Sequence, residues 1–94
     1  MRPLVLDYGS YSVTLNKKPL LLTPKEFELL GFFLKRQNRV VTRGALSENV
    51  WGIEYTASTR TIDVHVDQLR NKMGKYGGAI VSLKGIGYRF EMEV

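Results

Sequence analysis

The segment from Ser58 to Gly74 constrains this chain more than any other. Advancing about 100° per residue from Arg60 gathers Ile62, Val66, Leu69 and Met73 into one apolar stripe. Arg60, Val64, Asp67 and Asn71 fall together on the opposite side, with Gln68 and Lys75 beside them and Lys72 further round. Such a helix must pack its stripe on a core and leave its other face to solvent or a partner. That face mixes a cation, a small apolar residue, a carboxylate and two amides. A merely solvated face favours Glu and Lys pairs and seldom carries Val. A reader of the DNA major groove needs this mixture, because Arg and amides bond base edges and an apolar group touches the thymine methyl.

The other elements announce themselves by their ends. Thr23-Pro24-Lys25-Glu26 predicts a helix start: Thr23 caps, Pro24 fits the first position, and Glu26 reaches back. Phe27, Leu30 and Leu34 then repeat at helical spacing, and Lys35-Arg36 suit the negative end of the dipole. A second helix follows Val40-Val41, with Thr42 as cap, Val41 and Leu46 as a hydrophobic staple, and Gly52 as stop. Ser58 caps the third helix, which runs to about Met73 before Gly74, Gly77 and Gly78. Leu4–Leu6, Tyr11–Leu15 and Leu20–Leu22 read as strands of an N-terminal sheet. Ala79–Leu83 and Tyr88–Met92 read as a hairpin around Lys84-Gly85-Ile86-Gly87.

These 94 residues are one domain's worth of chain, so a single domain over 1–94 is expected. The formal net charge of +5 favours a polyanionic partner. The absence of cysteine excludes disulfides and thiolate metal sites and is in keeping with a cytoplasmic protein. No apolar run, Pro19–Leu22 included, approaches the ~20 residues of a membrane span. No cofactor, membrane partner or catalysis is expected. His65 is the only imidazole, and on a helix it points about 160–200° away from Asp63 and Asp67, so the three cannot share a metal. It is better read as a packed or hydrogen-bonded histidine.

The order is sheet, three helices, hairpin. It predicts an α+β winged helix-turn-helix fold with an N-terminal antiparallel sheet and a C-terminal β-hairpin wing. Five stretches, in order, resemble the DNA-binding effector domain of OmpR/PhoB-type response regulators. They are Leu22-Thr23-Pro24-Lys25-Glu26-Phe27-Glu28-Leu29-Leu30, Arg39–Arg43, Val50-Trp51-Gly52, Arg60–Lys72 and Lys84-Gly85-Ile86-Gly87-Tyr88-Arg89-Phe90. The resemblance implies a four-stranded N-terminal sheet, a third helix in the major groove and a wing at the minor groove. It implies DNA contacts by Arg60 (phosphate), Val64 (apolar base contact), Lys84 (wing tip) and Tyr88 (backbone). Arg43, Thr61, Asp67, Gln68, Asn71 and Lys72 complete the candidate DNA-binding set. Asp67 and Gln68 stand where basic residues are common in such domains, which affects the target sequence and not the docking mode.

The implied partners are double-stranded DNA with tandem half-sites and RNA polymerase, the latter through Glu54 and Tyr55 in the loop between the second and third helices. A receiver domain and a sensor kinase join them if the chain belongs to a longer protein. The alternative is a winged helix that binds protein through its third helix. Against it, Val64 is the only apolar anchor on the exposed face, where a protein interface uses large aromatic or aliphatic groups.

Overall fold

The computed structural model describes residues 3–52 and 57–92. Strands β1 (Leu4–Asp7), β2 (Ser12–Leu15) and β3 (Lys18–Pro19) form an antiparallel sheet in that order. Leu4 pairs with Leu15 and Leu6 with Val13, which turns Leu4 and Val13 into the core. The third strand is shorter than expected and lies earlier. Pairing ends at Pro19, which has no N–H to donate, after which Leu20 N–H makes one last bond to Val13 O (2.9 Å). Leu20–Leu22 is therefore not a strand, and Leu21 is 86% exposed while its neighbours are half-buried. The described sheet has three strands and not the four implied by the family resemblance.

Helix α1 (Pro24–Leu34) begins as its sequence dictates. Thr23 Oγ1 accepts the Glu26 N–H (3.2 Å) and Glu26 Oε1 accepts the Thr23 N–H (2.9 Å), a complete capping box. A cap of this kind contributes ~1 kcal/mol. The inward face of α1 presents Phe27, Leu29, Leu30 and Phe33 to the core.

Val40-Val41-Thr42 is more than the lead-in to the second helix. It forms strand β4 (Val40–Thr42), paired antiparallel to β6 (Gly87–Phe90), which pairs in turn with β5 (Ile80–Leu83). The wing hairpin thus supplies the central strand and one edge of a three-stranded sheet ordered β4-β6-β5. Gly87 makes that pairing possible, because a Cβ there would collide with the backbone of Val41 and Thr42. After the cap on Thr42, whose hydroxyl accepts the Ala45 N–H (3.0 Å), α2 (Arg43–Leu46) widens into a π-helical turn over Ser47–Trp51.

Helix α3 (Thr59–Met73) starts at Ser58, whose Oγ accepts the Thr61 N–H (3.0 Å), and ends on Gly74. A 3-10 segment, Gly74–Ala79, turns the chain back to β5. Ile62, Val66, Leu69 and Met73 are buried with Leu46, Val50 and Phe90, so the apolar stripe of α3 closes the core as expected.

Candidate nucleic-acid interface

Burying that stripe leaves the opposite side of α3 outward. Arg60, Val64, Asp67, Gln68 and Asn71 are all exposed, and Val64 is 42% accessible. Thr61 is half-buried, with its hydroxyl bonded to Ser58 Oγ (2.9 Å). His65 lies on the flank, donating from Nδ1 to Thr61 O (2.8 Å) with its ring edge-on to Trp51 at 5.2 Å. It is the packed, hydrogen-bonded histidine that the helical spacing indicates. Among the described residues, Asp67 is the member of the outer face tied down by charge: its Oδ1 accepts from Arg70 Nη1 (3.1 Å), although the side chain stays 66% exposed.

Three other candidates, Lys72, Tyr88 and Arg43, sit elsewhere. Lys72 is not gathered onto the outer face; its ammonium reaches α1 and binds Glu26 Oε1 at 2.6 Å. Glu26 is 1% exposed. Burial opposes its ionisation, but hydrogen bonds from Lys72 and from the Thr23 backbone outweigh that and hold its carboxyl below the ordinary carboxylate value. Tyr88 is only 3% exposed, and its hydroxyl donates to Asp63 Oδ1. Burial comes first, and the neighbouring Asp63 second, in pushing the Tyr88 hydroxyl up to about 12. Asp63 is held below its ordinary value: burial opposes ionisation and is outweighed by the Tyr88 hydroxyl and the Arg43 guanidinium. Arg43 Nε donates to the same Asp63 oxygen at 3.0 Å, and its guanidinium lies over the Tyr88 ring at 5.1 Å.

At the wing tip, Lys84 and Gly85 occupy a turn closed by the Ile86 N–H bonding Leu83 O (2.9 Å). Lys84, Gly85 and Ile86 are all exposed. Glu54 and Tyr55 lie outside the described residues. Sequence reasoning missed the hold that Asp63 and Arg70 have on the wing. The available signal was their shared position about 300° and 280° round the helix, on one edge between the apolar stripe and the outer face.

Among the described residues, an N-terminal antiparallel sheet, three α-helices and a second antiparallel sheet whose hairpin is fastened beside α3 define a winged-helix domain. Residues 17–90 match the family described as "Transcriptional regulatory protein, C terminal". Among curated relatives, the phosphate regulon transcriptional regulatory protein PhoB of Pseudomonas aeruginosa is 42% identical over 93% of this chain and 38% of its own length. The sensory transduction protein RegX3 of Mycolicibacterium smegmatis is 38% identical over 95% of this chain and 40% of its own. The chain therefore spans about two fifths of the length of these relatives.

Among solved structures, the DNA-binding domain of CpxR from E. coli superposes with a TM-score of 0.83 at 30% identity, covering 98% of this chain and 93% of that one. The DNA-binding domain of Klebsiella pneumoniae RstA, solved in complex with the RstA box, gives 0.84 at 25% identity over 96% and 92%. The chain belongs to the C-terminal domains of transcriptional regulatory proteins, the DNA-binding effector domains of OmpR/PhoB-type response regulators.

Proposed function

We propose that this domain binds double-stranded DNA with the outer face of α3 in the major groove and the Lys84–Ile86 turn at the adjacent minor groove. The observation that carries the reading is the composition of that face: Arg60, Val64, Gln68 and Asn71, all exposed on a helix whose other side is locked into the core. Arg60 sits in the first turn of α3, where it reaches a phosphate or a guanine edge. The two amides present donors and acceptors to base edges, and Val64 offers an apolar surface to a thymine methyl. Thr61 flanks the same face. Lys84 puts one cation at the wing tip, where a narrow A·T-rich minor groove attracts it.

Arg43, Lys72 and Tyr88, each bonded to a carboxylate inside the domain, support binding differently from the outer face of α3. Arg43 and Tyr88 meet on Asp63 and shape the junction of α2, α3 and the wing. Lys72 adds positive potential while ion-paired to Glu26.

A monomer of this size binds weakly, and tandem half-sites about one helical turn apart supply the remaining affinity. Regulation of transcription through RNA polymerase at Glu54 and Tyr55, and control by a receiver domain and its sensor kinase, belong to the same reading. It makes the domain a cytoplasmic binding module that catalyses nothing.

The test is a salt titration on duplexes selected from random sequence. Neutralising about four to six phosphates gives a slope of log K against log salt near −4 to −5. A slope near zero refutes DNA binding and returns the third helix to a protein partner.

A further inference from the structure

Both strands of the wing are fastened to one edge of α3. Arg70 holds β5: its Nε and Nη2 both donate to Ile80 O (3.0 and 2.7 Å), and Nη2 also donates to Ser82 Oγ (2.6 Å). Asp63, two turns earlier on the same helix edge, holds β6 through the Tyr88 hydroxyl. Ser82 and Tyr88 are register partners, so the two fastenings grip one rung of the hairpin from both of its strands. The Arg70 guanidinium also lies 5.4 Å from the centre of the Tyr88 ring. Gly77 presses directly on the Arg70 carbonyl, where any Cβ would clash, and this brings the start of β5 within reach of the guanidinium. Arg70's remaining polar edge, Nη1, is occupied by Asp67 from the outer face.

Every nitrogen of the Arg70 guanidinium is thus engaged inside the domain, in a planar arrangement that lysine cannot reproduce. We propose that Arg70 is a positioning residue that sets the stance of the wing against α3, so that what the wing reads in the minor groove depends on how α3 sits in the major groove. The proposal rests on the DNA-binding reading above. It makes Arg70 a determinant of specificity without contact to DNA, and it gives Asp67 a second role, orienting the brace from the reading face.

The experiment combines Arg70 with Lys84 in a double-mutant cycle on the selected duplex and on variants with A·T or G·C flanks, at one salt concentration. Arg70→Lys keeps the charge and removes the planar fork. In that background the preference for A·T flanks should fall by about fivefold or more, and Lys84→Ala should add little, because the tip is no longer aimed. Preferences at the central base pairs should stay nearly unchanged. Arg70→Met should leave the salt slope unchanged. Amide exchange in the free protein should quicken in β5 and β6 and not in α1, which separates a loosened wing from general unfolding.

A full Lys84→Ala effect in the Arg70→Lys background overturns the brace. So does a slope shallower by about one in Arg70→Met, which would make Arg70 a phosphate contact. Wild-type protein that binds no duplex in a salt-dependent way is a different failure: it refutes the DNA reading itself, and the role of Arg70 in readout falls with it.

Discussion

Lys72 on α3 places its ammonium 2.6 Å from Glu26 Oε1 on α1, the same oxygen that accepts the Thr23 N–H at the start of that helix. One buried carboxylate therefore caps α1 and ties α1 to α3. Removing the lysine leaves a nearly inaccessible carboxylate with only its capping bonds. Because Lys72 is itself partly exposed, solvent screens the pair, and Lys72→Met should cost about 1–3 kcal/mol at pH 7. Glu26 titrates below its unfolded value of 4.5, so this stabilisation is present above that pH and is lost as pH falls below it. Urea denaturation at several pH values should show wild type and Lys72→Met converging in acid. A gap that persists at pH 2 would mean the lysine acts through its stem and not its charge.

Tyr88 gives the opposite pH signature. Its hydroxyl is raised from the ordinary tyrosine value of 10.0 to about 12, so the folded state keeps the proton where the unfolded chain has lost it. The associated stability is fully present below pH 10 and disappears as pH rises from about 10 to 12. Tyr88→Phe should cost about 1 kcal/mol at pH 7 and lose less than wild type across that alkaline window. Thermal melts at pH 7, 10 and 11.5 make the comparison, and parallel curves would show that the Asp63 bond contributes nothing.

Asp67 faces outward while bonded to Arg70. Its charge repels phosphates, so Asp67→Ala should raise affinity for every duplex. If orientation of Arg70 is its role, discrimination should fall by small amounts spread over the flanking positions that the wing reads, with the central base pairs nearly unchanged. A loss of about 1–3 kcal/mol confined to one position would instead identify a carboxylate reading a cytosine amino group. Binding constants for single-base variants at fixed salt distinguish the two. Reduced nonspecific affinity in the variant would remove Asp67 from the DNA side altogether.

Lys84 is exposed in the turn that ends the wing. Lys84→Ala should weaken the preference for A·T pairs flanking the major-groove site and make the salt slope shallower by about one. Folding should be unaffected, since Lys84 is exposed in the turn. An unchanged flank preference would place the tip away from the minor groove.

The elements whose information is local could be read directly. Thr23-Pro24-Lys25-Glu26 encodes its own capping box, Ser58 its own cap, and the spacing of Ile62, Val66, Leu69 and Met73 defines the buried side of α3 and thereby the exposed one. The outer face of α3 was legible for the same reason: helical periodicity needs no distant partner. Tertiary structure decided whatever depends on residues far apart in the chain. Val40–Thr42 becomes a strand only because Gly87, over 40 residues away, lets β6 approach it. Lys72 looks like a free cation until α1 delivers Glu26 to it across 46 positions. Asp63 and Arg70 resemble ordinary flanking charges on a helix until the wing folds back onto their edge. Charge and hydrogen-bonding groups carry no sequence mark of their partners, and packing alone determines which of them meet.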